Sequence, residues 1–146
     1  MTHAFYAPRT HGFVRTAAAT PVVHVADPVA NGDEHEALIR QAGAAGVDLL
    51  VFPELSLSAY AIDDLLMQAA LLDEVERQIS RLALVADEAG VICVVGAPVR
   101  AGDALYNCGV VLGSGGVLGV VPKTYLPNYR EYYEKRWFAP ATARTE

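Results

Sequence analysis

Positive charge, cysteine and long apolar runs are all scarce in this chain, and each shortage closes off a class of protein. Eleven Lys and Arg stand against 17 Asp and Glu, for a net charge of -6 and a sequence pI near 5.1. A phosphate backbone or an anionic membrane rewards clustered cations, so neither nucleic acid nor a membrane is the expected partner. The one basic cluster, Lys135 and Arg136, is interleaved with glutamates and aromatics and reads as a solvated or interface face. The two cysteines, Cys93 and Cys108, lie inside apolar stretches with no metal-type spacing and no disulfide framework. They read as small buried hydrophobes. No uncharged apolar stretch reaches 18 residues, and Met1 to Ala19 lacks the apolar centre of a signal peptide. The expected location is cytoplasmic.

What is present describes a folded domain: 146 residues, 53 % hydrophobic and 19 % charged, long enough to bury roughly 68 to 70 % of its unfolded surface. We read one domain over 1–146. An irregular arm, 1–12, leads to a first strand over Phe13 to Thr20. Asp27-Pro28 and Asn31-Gly32-Asp33 are turn chemistry, with Asn31 or Asp33 capping a helix that runs toward Gly43 or Gly46. Val47 to Phe52 and Val91 to Val95 are continuous apolar runs, the pattern of strands covered on both faces. Between them, Asp64 to Ala70 and Leu72 to Ala89 read as helices, with Val75, Ile79, Leu82 and Val85 at helical spacing and Gly90 as the stop. Tyr106 to Leu112 and Val117 to Val121 form a hairpin across Gly113-Ser114-Gly115-Gly116. That glycine loop lies between strands and lacks the Lys-Ser/Thr ending of a phosphate loop. The order is β, α, β, α, β, then a hairpin, an α/β fold.

Two polar residues leave apolar strands through a proline: Glu54, after Phe52-Pro53, and Lys123, after Val121-Pro122. The C-terminal ends of strands are where open α/β sheets gather reacting groups. Singly, such a glutamate caps a turn as readily as it reacts, and a lysine is ordinarily solvated. Their joint context carries more: Phe-Pro-Glu-Leu, then Leu105-Tyr106-Asn107 before the hairpin, then Gly119-Val-Val-Pro-Lys-Thr-Tyr-Leu-Pro-Asn-Tyr129. In that order these words resemble the nitrilase, or carbon-nitrogen hydrolase, superfamily. Tyr6 with His11-Gly12-Phe13-Val14-Arg15, Ser56-Leu57-Ser58-Ala59-Tyr60 and Tyr129-Arg130-Glu131-Tyr132-Tyr133-Glu134 look like the N-terminal glutaminase domain of glutamine-dependent NAD synthetases.

The resemblance implies the first half of a nitrilase-like α-β-β-α sandwich. It implies Glu54 as general base, Lys123 as stabiliser of the oxyanion, and Glu134 as a second glutamate, with Glu131 the competing choice. Tyr60 and Tyr129 would line a glutamine pocket, or else serve as core or interface aromatics. Amide hydrolysis of this type also needs a thiol, whose proton the carboxylate accepts as it attacks. In the resembled family that cysteine follows the lysine at a distance greater than the 23 residues present here, so the chain is expected to be inactive alone, truncated before its nucleophile. The implied partners are glutamine, a synthetase domain or subunit that amidates nicotinic acid adenine dinucleotide, and further copies of the chain in a homo-oligomer. No cofactor or metal is implied for this domain; ATP and Mg belong to the synthetase domain. Three other readings stay open: a catalytically silent binding or assembly module, another amidase of the superfamily, and a small α/β binding domain unrelated to hydrolases.

Overall fold

The computed structural model describes residues 4–143, which form a five-stranded sheet with two helices laid against one face. The elements are β1 (Thr16–Ala18), α1 (Pro28–Ala44), β2 (Leu49–Val51), α2 (Ala69–Ala89), β3 (Ile92–Ala101), β4 (Ala104–Gly113) and β5 (Gly116–Pro122). They lie in the spatial order β1-β2-β3-β4-β5. β1, β2 and β3 run parallel, while β3, β4 and β5 form an antiparallel meander.

The core follows from two periodicities. In α2, Leu72, Val75, Ile79, Leu82, Ala83 and Ala86 recur on one face and are all buried. Alternate strand residues, Leu50, Cys93, Val95, Ala97, Val110 and Leu112, meet that face together with Ile39 and Ala42 of α1. The two helices approach closely at Gly43, where a side chain would collide with the Ala89 carbonyl. α2 ends at Gly90, whose φ of 67° is the left-handed C-cap that a glycine takes without cost.

The order of elements expected from sequence holds, with corrections. β1 spans three residues, because its single neighbour, β2, is equally short. Phe13, Val14 and Thr20 lie outside it. α1 is capped by Asp27, whose side chain accepts from the Ala30 N–H with Pro28 in the first turn. Asn31 and Asp33 are inside the helix, and the Asp27-Pro28 pair taken as a turn is a start signal. Asp63–Met67 is a 3-10 helix leading into α2, in place of a separate α-helix. The arm contains two short 3-10 helices, Ala4–Tyr6 and Pro8–His11.

The apolar runs of β2 and β3 are covered on one face only. Val51 is 41 % exposed and Ile92 is 45 % exposed, since both helices lie on the other side. Among the described residues no helix is long and apolar enough to cross a membrane.

Candidate active site

The turn after β2 is built by contact with β3. Pro53 to Leu55 pass so close to Gly96 that any side chain there would overlap the Pro53 carbonyl and the Leu55 N–H. The Leu57 N–H donates to the Gly96 carbonyl at 3.1 Å, and Leu55 holds a left-handed φ of 49°. A non-glycine residue keeps such a conformation only where its surroundings enforce it. Beneath the turn, the buried His35 donates from Nδ1 to the Asn31 carbonyl at 2.6 Å. A carbonyl can only accept, so Nε2 is the accepting nitrogen and takes the Ser56 hydroxyl at 2.8 Å. Ser56 Oγ in turn accepts from the Gly96 N–H at 3.3 Å. The ring packs on Phe52, centroids 4.2 Å apart. Burial lowers the His35 pKa against the raising effects of Asn31 and Glu34, which holds the imidazole neutral.

Lys123 leaves β5 beside Asn107 of β4, whose carbonyl accepts the Lys123 N–H at 2.8 Å. Residues 133–138 then fold back under the strand ends, with the Glu134 N–H donating to Pro127 O and the Phe138 N–H to Glu134 O. This brings three side chains together. Lys123 Nζ lies 2.7 Å from Glu54 Oε1 and 3.0 Å from Glu134 Oε1. Asn107 Nδ2 donates to the same Glu54 oxygen at 2.5 Å, and the Tyr60 hydroxyl donates to Glu134 Oε1 at 2.6 Å.

The electrostatics are those of one cation between two anions. Burial works against the Lys123 ammonium, but the hydrogen bonds it donates to Glu54 and Glu134 outweigh it and its pKa is raised. Burial and then the Glu134 hydrogen bond raise that of Tyr60, so its hydroxyl stays a donor. Glu134 is 2 % exposed and its Oε2 is buried without a hydrogen bond, whereas the Glu54 side chain is 43 % exposed. A cavity of about 440 Å³ opens onto Glu54, Tyr60, Lys123, Tyr129, Tyr132 and Glu134, within the range of small-molecule sites. Among the described residues no group of three or more His, Cys, Asp or Glu side chains is arranged to hold a metal ion.

Glu54, Lys123, Glu134 and Tyr60 therefore converge, and Tyr129 lines the same cavity while remaining largely exposed. Glu131, the competing glutamate, is exposed and outside the cluster. Neither cysteine opens onto this cavity: Cys93 and Cys108 are buried, and burial pushes the Cys93 thiol up to about 12. Sequence reasoning missed Asn107, His35 and Ser56 as parts of the site. The signal for Asn107 was a lone amide in an otherwise apolar strand.

The sequence matches the carbon-nitrogen hydrolase family over residues 14–145. The chain belongs to that family. A glutamine-dependent NAD(+) synthetase of Mycobacterium tuberculosis (strain ATCC 25618 / H37Rv) is 47 % identical over 136 residues, which cover 93 % of this chain and 20 % of the relative. Another from Xylella fastidiosa (strain 9a5c) is 39 % identical over 127 residues, 86 % of this chain and 23 % of that protein. This carbon-nitrogen hydrolase chain thus spans only about a fifth of the length of the curated relatives it matches. Its fold superposes on the crystal structure of a glutamine-dependent NAD(+) synthetase from Cytophaga hutchinsonii with a TM-score of 0.82 at 26 % identity, over 87 % of this chain and 22 % of that one. An amidase from Nesterenkonia sp. gives a TM-score of 0.76 at 25 % identity, over 88 % of this chain and 48 % of the amidase. The single sheet with one helical layer is therefore a nitrilase-like α/β fold, corresponding to about half of the hydrolase in that amidase.

Proposed function

We propose that this chain supplies the glutamate and lysine part of a glutamine-hydrolysing site, within the glutaminase region of a glutamine-dependent NAD synthetase. One observation carries the reading: the Lys123 ammonium bridges the Glu54 and Glu134 carboxylates at 2.7 and 3.0 Å, at the strand ends and beside a cavity. The identity of 47 % to a protein named for that activity supports the choice of substrate.

In this reading Glu54 accepts the proton of an attacking thiol, and the two hydrogen bonds it shares keep the carboxylate in place as it does so. Lys123 uses two of its three N–H groups on the glutamates and offers the third to the carbonyl oxygen as negative charge builds there. Glu134 anchors the Lys123 ammonium beside Glu54 through Oε1. Tyr60 donates to the same Glu134 oxygen that Lys123 contacts, and Tyr129 forms the cavity wall. The thiol is a cysteine supplied from outside residues 1–146, since Cys93 and Cys108 are both buried in the core under the helices. The ammonia passes to a synthetase domain that uses ATP and Mg; residues 1–146 hold no cofactor of their own. A cytoplasmic location and a homo-oligomeric assembly belong to the same reading.

The test is ammonia release from glutamine. Residues 1–146 alone give none above background, and a longer protein that adds the cysteine-bearing segment is active. In that protein Glu54→Gln and Lys123→Met each lower turnover by about 100-fold or more while the circular dichroism spectrum is kept. Robust turnover by residues 1–146, or full turnover by either variant, overturns the reading. Turnover of a simple aliphatic amide in place of glutamine assigns the site to another amidase of the family.

A further inference from the structure

We propose that Asn107 is the positioning residue of this site, anchoring Glu54 through Oε1 so that Oε2 is the oxygen left to receive the proton. The proposal rests on the reading of Glu54 as the base.

Asn107 is buried in β4, between Tyr106 and Cys108, and its side chain points at a carboxylate. Because a carboxylate only accepts, the atom facing it is Nδ2, whichever way the amide would otherwise be turned. Glu54 Oε1 takes Asn107 Nδ2 at 2.5 Å and Lys123 Nζ at 2.7 Å, one donor for each of its two lone-pair directions. Oε2 takes no hydrogen bond from the described residues, and the half-exposed carboxylate borders the cavity.

A lysine alone would not produce this division. Its ammonium is a point charge on a flexible stem, and the terminal torsion of a glutamate is broad, so a single such contact lets the carboxylate turn and exchange its oxygens. A second donor fixed to a strand removes that freedom. An amide does so without a second positive charge, leaving the carboxylate able to take a proton. The same residue sets the root of the lysine, since the Asn107 carbonyl accepts the Lys123 N–H at 2.8 Å. One position on β4 thereby fixes both the base and its cation.

The chain is suited to a direct test, because it contains two lysines, Lys123 and Lys135, and three asparagines, Asn31, Asn107 and Asn128. Residues 1–146 are labelled with ¹³Cε-lysine and ¹⁵Nδ-asparagine and followed by NMR. In the unmodified chain one Asn107 Nδ2–H resonates distinctly downfield of the other side-chain amides, and Glu54→Ala collapses that shift. Asn107→Ala and Asn107→Leu lack the donor but differ in packing volume. Both lower the Lys123 titration midpoint, as a Glu54 carboxylate free to turn spends part of its time away from the ammonium and supports its charge less. A role in packing alone would leave Asn107→Leu at the native midpoint, and that result overturns the proposal. So does an Asn107 amide that resonates with the others in the unmodified chain, a result that requires no variant to fold. These readings stand whatever the substrate is. Failure of Glu54 as the base appears separately, as full turnover by Glu54→Gln in the longer protein.

Discussion

His35 shows how a single buried residue ties stability to the geometry of the turn that carries Glu54. Its imidazole is neutral, donating to Asn31 and accepting from Ser56, and protonation would place two donors where Ser56 supplies one. Its folded pKa lies below the unfolded value of 6.5. The unfolded chain therefore binds the proton first, and stability is complete above pH 6.5 and falls as the pH drops below it, by up to ~1.4 kcal/mol per pH unit. Urea unfolding at pH 7.5 and 5.5 checks this: the native chain loses more stability between the two than His35→Gln does. Equal losses would mean that His35 is charged or accessible in the folded state. Glu54 and Lys123 were legible in the sequence because each is the first charged residue after an apolar strand and a proline. Asn107 and His35 were not. A polar residue inside an apolar run or a helix declares its role only when its partner, 53 residues away for Asn107 and 21 for His35, is known.

The segment after Tyr60 and the turn around Glu134 are fastened to each other at the surface. Asp64 takes two N–H groups of Arg136, at 2.8 and 2.7 Å, and the Trp137 indole N–H at 2.9 Å; Asp63 takes the Tyr133 hydroxyl at 3.0 Å. Tyr60 and Glu134 are joined just inside this clasp. The Arg136 and Trp137 donors hold the Asp64 carboxyl well below the usual carboxylate range. A lowered pKa keeps the clasp charged as the pH falls through 3.8, where a free aspartate takes its proton. Trp137 is the only tryptophan, so its fluorescence reports on the clasp and on the apolar cluster against which the indole packs. We expect native emission to stay constant from pH 7 to 4 and Asp64→Asn to shift it at neutral pH. An unchanged spectrum in Asp64→Asn would show that the clasp does not hold the turn. None of this was visible in the sequence, where Lys135 and Arg136 read as a solvated or interface face. By contrast the body and end of α2 were legible, because its apolar stripe and Gly90 stop are local signals, while its start lies at Ala69, three residues before the expected Leu72. β1 was overextended because strand length depends on the neighbour's length, which is not a local property.

The sheet as a whole has one face against α1 and α2 and one face that no described residue covers from end to end. Cross-strand pairing puts Val51, Ile92 and Val94 together on that face, and the side chains of Ile92 and Leu118 flank Gly113. Val51, Ile92, Leu118 and Val121 are all exposed. The sequence showed these runs as apolar on both sides and was read as doubly covered; the residue pattern records the covering that the fold calls for, and only one layer of it lies within residues 4–143. A contiguous apolar face of this kind drives association in water. The 146-residue chain is therefore expected to sediment above its monomer mass of 15.6 kDa and to bind a hydrophobic dye. Ile92→Lys with Leu118→Lys places two charges on the face at its β4–β5 turn end, where both side chains already reach solvent, so the helix-covered core is untouched. That variant should sediment as a monomer with unchanged far-ultraviolet circular dichroism. A native chain that runs as a monodisperse 15.6 kDa particle, or a double variant that associates as strongly as the native one, would show that this face is not what brings the chains together.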